Sequence, residues 1–182
     1  MKTPILKWGT IIPSLCLMSI LLWQCSNGGA VGSTASGNLF EQYYEAYPAP
    51  TQVRAGGEDE ERETWNRAIE NYSSGDYIGA IEGFKLALAN KRPPDTDVNF
   101  YLGVSHLELT PPRPKKAIEY FNAVIDERKG KYYEAARWYR ALSYLNSGQI
   151  SETKIMLERI KQEEDEYKKA EVIKLLTKLP AE

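Results

Sequence analysis

The chain has one histidine, His106, and two cysteines, Cys16 and Cys25. Both cysteines lie near the N-terminus, so nothing after Cys25 can form a disulfide or a zinc site of Cys and His ligands. Cys–His catalysis is excluded there as well, and a Ser–His pair has only His106 to use. Gly103-Val104-Ser105-His106-Leu107 lacks the second glycine of a nucleophile elbow, and no glycine-rich phosphate loop is present. Carboxylates adjoin in Glu58-Asp59-Glu60-Glu61 and Glu163-Glu164-Asp165-Glu166. Acidic runs at helix starts interact favourably with the helix dipole, so both read as solvated faces. His106 reads as a core residue between paired helices. No catalytic residue, metal ligand or cofactor is expected, and the chain reads as a non-enzyme.

Composition agrees with a binding or structural role. The 182 residues leave room for a leader, a linker and one compact domain. With 23 basic and 25 acidic side chains there is no basic excess to neutralise phosphates, so nucleic acid is not an expected partner. Lys2 and Lys7 precede an apolar stretch from Ile11 to Trp23, which is shorter than the roughly 17–25 residues that span a bilayer. Residues 1–25 therefore read as an export signal or a signal-anchor. Leu22-Trp23-Gln24-Cys25 resembles a bacterial lipobox, although Trp23 and Gln24 depart from its small residues. The resemblance implies a lipid on Cys25 that holds the chain to the envelope membrane. Uncleaved anchoring and simple secretion remain the alternatives.

Residues 26–38 are rich in Gly, Ser and Ala without periodicity, and read as a flexible linker. Residues 39–57 form an aromatic segment. Asn38 is a candidate cap for a short helix that Pro48 and Pro50 would end. Leu39, Phe40, Tyr43, Tyr44 and Tyr47 are too dense an apolar set to leave in water.

From residue 58 to 182 one pattern recurs three times, over about 61–92, 96–129 and 134–163. Trp65, Phe100 and Trp138 each precede a small residue by three positions: Ala68, Gly103 and Ala141. A second small residue follows in each copy (Ala80, Ala117, Thr153), and Phe84, Phe121 or Leu157 lies four positions beyond it. These steps keep the side chains on one helical face. Small residues facing each other let two helices approach closely, and the larger ones fill the space beside them. Gly75 and Gly148 mark turns within the pairs. Thr110-Pro111-Pro112-Arg113-Pro114 marks the middle one, where proline stops one helix and starts the next. A last helix over about 165–179 shows Val172, Leu175, Leu176 and Leu179 on one side.

The pattern resembles the tetratricopeptide repeat family, most closely in Phe100 to Leu107 with Ala117 to Phe121, and in Gly75 to Ile81. The resemblance implies an all-α fold of three tandem helical hairpins, an α-solenoid, with a C-terminal capping helix. It further implies a concave groove formed by the first helix of each pair. Trp65, Ile69 and Tyr72, then Phe100, Val104 and Leu107, then Trp138, Leu142 and Leu145 would line it. The same residues suit packing between hairpins, and one side chain can serve both. An apolar, aromatic groove takes a protein or peptide partner, as an amphipathic helix or an extended segment. The Lys and Asn with which some members grip a C-terminal carboxylate are missing. Leu39, Phe40, Tyr43, Tyr44 and Tyr47 form a third candidate occupant, lying in the groove or capping the first hairpin as an internal ligand. The expected function is a protein-binding adaptor at a bacterial envelope membrane. The alternative is a structural subunit of an envelope assembly or export machine.

Overall fold

The computed structural model describes residues 30–50, 59–89, 96–128, 130–163 and 165–180. The leader, Cys25 and the start of the linker lie outside these residues. Among the described residues the protein is all-helical. In chain order the helices are α1 (Ala30–Tyr43), α2 (Asp59–Ser74), α3 (Tyr77–Ala89), α4 (Thr96–Glu108), α5 (Pro114–Asp126), α6 (Tyr133–Asn146), α7 (Ile150–Gln162) and α8 (Lys169–Lys178). From α2 to α8 each helix packs against the next, and α1 returns to pack on α6 and α8. No described helix is long and apolar enough to cross a membrane.

The turns follow from their glycines. Gly75 has φ +83° and Gly148 φ +75°, a region that a Cβ disfavours. Each lets the chain close a Schellman motif. Asp76 N donates to Asn71 O at 2.9 Å and Gly75 N to Tyr72 O at 3.2 Å; Gln149 N donates to Tyr144 O at 2.9 Å and Gly148 N to Leu145 O at 3.0 Å. Asp76 then caps α3 by accepting from Gly79 N at 3.0 Å. Pro114 occupies the first turn of α5, where its missing N–H costs nothing.

Close approach within the pairs comes from small residues. A Cβ on Gly103 would stand 2.5 Å from the Phe121 ring, so α4 and α5 touch only because that side chain is absent. Opposite Ala68 the small residue is Gly83, where an added Cβ would come within 2.8 Å of the Ala68 Cβ. Ala80, the expected partner, is buried one turn earlier. Phe84, Phe121 and Leu157 are fully buried beside them. Each such side chain contributes about 1.5–3 kcal/mol by leaving water.

Two boundaries differ from the sequence reading. The segment expected as coil up to residue 38 is helical from Ala30, so Asn38 lies inside α1 and caps nothing. Weak Gly and Ser propensity is overridden by tertiary packing, since Ser36 and Phe40 are buried in the docked helix. The last helix starts at Lys169, not near 165, because the chain first turns through Lys168 at φ 57°. That turn carries Asp165 inward to Arg137. The two pair at 2.9 Å with both side chains under a tenth exposed, and Glu163 joins from the rim at 2.7 Å. The second acidic run is thus not simply a solvated face. Its internal partner sits on another helix, out of reach of local pattern.

Candidate protein-binding face

The first helices of the three pairs, α2, α4 and α6, present one tyrosine hydroxyl each to the same strip of chain. Residues 44–50 follow α1 without regular structure and cross these helices. The Tyr139 hydroxyl donates to Glu45 O at 2.6 Å, that of Tyr72 donates to Tyr47 O, and that of Tyr101 donates to Pro48 O at 3.0 Å. Three side chains thus hold three backbone carbonyls of one extended segment. Tyr47 is its central anchor. Its ring meets Phe100 edge-on at 4.8 Å and Tyr132 at 5.7 Å, with Tyr139, Tyr101 and Tyr167 at 6.2–6.3 Å. Edge-to-face contacts of this kind each add about 0.5–1.5 kcal/mol beyond area burial.

No family model, curated protein or solved structure matches this chain.

Upstream, Phe40 stacks on Tyr44 at 4.7 Å, and Tyr44 meets Tyr139 edge-on at 5.9 Å. The Tyr44 hydroxyl donates to Glu108 Oε1 at 2.5 Å. On the outer side, Lys168 faces the Glu45 carboxylate at 3.3 Å, and Lys178 donates to Gln42 Oε1 at 2.9 Å while lying over the Tyr43 ring. Burial pushes the phenols of Tyr44, Tyr72, Tyr101 and Tyr139 well above the ordinary value, and the Glu108 carboxylate adds to this at Tyr44 and Tyr72. The hydroxyls therefore stay neutral donors far into the alkaline range.

The residues that the resemblance assigned to the groove lie mostly beneath this face. Trp65, Tyr72, Phe100, Val104, Leu107, Trp138, Leu142 and Leu145 are buried, and Ile69 is half-buried. Trp65 packs on Phe84 and Tyr101 at 5.5 and 6.0 Å, and Phe100 stacks on Tyr132 at 4.4 Å. Of the nine, Tyr72 donates to the Tyr47 carbonyl and Phe100 meets the Tyr47 ring. Tyr101 and Tyr139, which sequence reasoning did not assign to the face, follow Phe100 and Trp138 by one residue. That step rotates the side chain by about 100° around the helix. The doublets Phe100-Tyr101 and Trp138-Tyr139 carry the missed signal, since a tyrosine beside a core aromatic needs a partner for its hydroxyl.

His106 sits in the core, as expected, with its ring stacked on Tyr120 at 5.5 Å. Neither ring nitrogen has a hydrogen-bond partner among the described residues. Burial, with help from Lys85, Arg113 and Lys116, lowers its pKa to about 4. It is therefore neutral at pH 7. Among the described residues no three His, Cys, Asp or Glu side chains are grouped to hold a metal.

Proposed function

We propose that this chain is a non-catalytic protein-binding module of three tetratricopeptide-like hairpins and a capping helix, held at a bacterial envelope membrane by its leader or a lipid on Cys25. The observation that carries the binding reading is the grip on residues 44–48. An aromatic face on the first helices takes one extended peptide segment by its backbone carbonyls and a single half-buried ring. Such a face is suited to an extended polypeptide, whose backbone carbonyls match its row of hydroxyls. The envelope reading rests on the positively charged, apolar N-terminus and the lipobox-like residues before Cys25.

Deleting residues 39–50 tests the binding face. The deletion uncovers Tyr72, Tyr101 and Tyr139, and the expected outcome is a lower melting temperature with binding of an apolar dye. Unchanged melting without dye binding would show that these residues do not cover the face. The intact mass of protein extracted from bacterial membranes tests the tether. A chain beginning at acylated Cys25 supports a lipoprotein, and a full-length mass supports an uncleaved anchor.

A further inference from the structure

The strip of chain on the face has features of a ligand more than of a core element. Its main fixings are carbonyl oxygens, which any extended peptide offers, held by hydroxyls of Tyr139, Tyr72 and Tyr101. Tyr47 contributes the one ring inserted among the tyrosines, and it is only half-buried. Beside it an open depression of about 360 Å³ lies between Tyr47, Lys131, Glu134 and Tyr167, so one side of the ring borders open space. Pro48 has no N–H to satisfy and holds Tyr47 extended before binding, which lowers the ordering cost. Outside the ring pocket, Glu45 answers Lys168, while Glu41 and Ala46 face solvent.

We propose that residues 44–48 are an exchangeable resident ligand, and that the partner of this face presents the same chemistry. That partner is a protein with an extended segment in which an aromatic residue precedes proline and an acidic residue stands two positions before the aromatic one. The inference rests on the protein-binding reading above. The chain then regulates its own site, because a partner must displace the resident segment, and its apparent affinity is reduced by the fraction of time the face is open. Carbonyl recognition makes the site tolerant of sequence between the anchors. The ring pocket and Lys168 supply what selectivity it has.

The probe is a labelled peptide with the sequence of residues 41–50, offered to the full chain and to full-chain Tyr47→Ala. The variant loses the anchor but keeps the three hydroxyls. It should bind the peptide about tenfold or more tightly than the wild type does. A peptide carrying Tyr47→Ala should fail to bind, and one carrying Glu45→Lys should bind more weakly. A folded Tyr47→Ala chain that binds no peptide overturns the proposal. Should that variant not fold, limited proteolysis of the wild type after Glu45 decides. Cleavage there while the helices stay intact supports an opening segment, and cleavage only with global unfolding overturns it. Dimers that grow with concentration and vanish in Tyr47→Ala would assign the face to a second copy of the chain and overturn the partner assignment. If the deletion of residues 39–50 destabilises the fold while no peptide binds, exchange fails and the binding-face geometry stands.

Discussion

Two aromatic layers lie one residue apart on the same helices and treat polar groups in opposite ways. Trp138 belongs to the inner layer, and Phe100 joins the two: both side chains are at most 1% exposed, and the Phe100 ring also meets Tyr47 at 4.8 Å. Buried polar atoms away from the segment are served within their own helix or not at all: Ser143 Oγ donates to Tyr139 O, while Ser105 Oγ and both His106 nitrogens have no partner among the described residues. Tyr101 and Tyr139 belong to the outer layer, and each hydroxyl there meets a carbonyl of the segment crossing it. Core packing tolerates an occasional orphan because many contacts surround it. The outer layer has its donors aimed at a backbone. A row of hydroxyls matched to carbonyls is what sets this face apart from the helix interfaces beneath it.

The largest effect belongs to the inner layer. Trp138→Ala should lower the unfolding free energy by about 3–5 kcal/mol, read from denaturant midpoints, because a fully buried ring leaves a cavity that the helices cannot close. A loss below about 1 kcal/mol would mean that the ring lies in a yielding surface and that the layers are not distinct.

How far this contrast was legible differs between its halves. The helix pairs and their turns were written locally, in the small residues at Ala68, Gly103 and Ala141 and in Gly75 and Gly148. Their periods and positive-φ positions do not depend on what lies across the fold. The face was half legible. Tyr44 and Tyr47 announced themselves as an aromatic run needing cover, but the choice between groove and cap depended on where the chain returns. Nothing local revealed that α1 begins at Ala30, since Gly and Ser there are poor helix formers and the docking on α6 and α8 decides the matter. Tyr101 and Tyr139 were passed over because the repeat pattern highlights the layer beneath them.

His106 gives the second effect and probes the orphans of the inner layer. Its folded pKa of about 4 lies below the unfolded value near 6.5. Between these values the unfolded chain binds the proton and the folded chain does not. Stability is therefore complete above about pH 6.5 and is lost as pH falls toward 4, at about 1.4 kcal/mol per pH unit from this group. Lys85, Arg113 and Lys116 oppose its protonation and Glu119 favours it. In His106→Phe this contribution disappears, and the ring still stacks on Tyr120. Denaturant midpoints at about pH 7 and about pH 4.5 should converge in the variant. Equal acid losses in both proteins would show that the nitrogens are satisfied or hydrated.

The smallest effect is the sharpest test of the outer layer. Tyr101→Phe removes the donor to Pro48 O and Tyr139→Phe the donor to Glu45 O, with the rings left in place. Each should cost about 1 kcal/mol, the net value of one hydrogen bond, and should speed proteolytic cleavage after Glu45 more than within α4 or α6. The alkaline branch carries the same information with its own sign. Burial raises both phenols above the ordinary value near 10, so an unfolded chain loses these protons first. Their contribution is complete below about pH 10 and declines as pH rises above it. The double variant should therefore lose stability less steeply above about pH 10 than the wild type, with phenolate absorbance reporting the ionisation. If both single variants resist cleavage after Glu45 as the wild type does and the alkaline slopes coincide, the hydroxyls are not what holds the segment. The outer layer would then be a second apolar layer, and selectivity for an extended, carbonyl-presenting partner would have no physical basis.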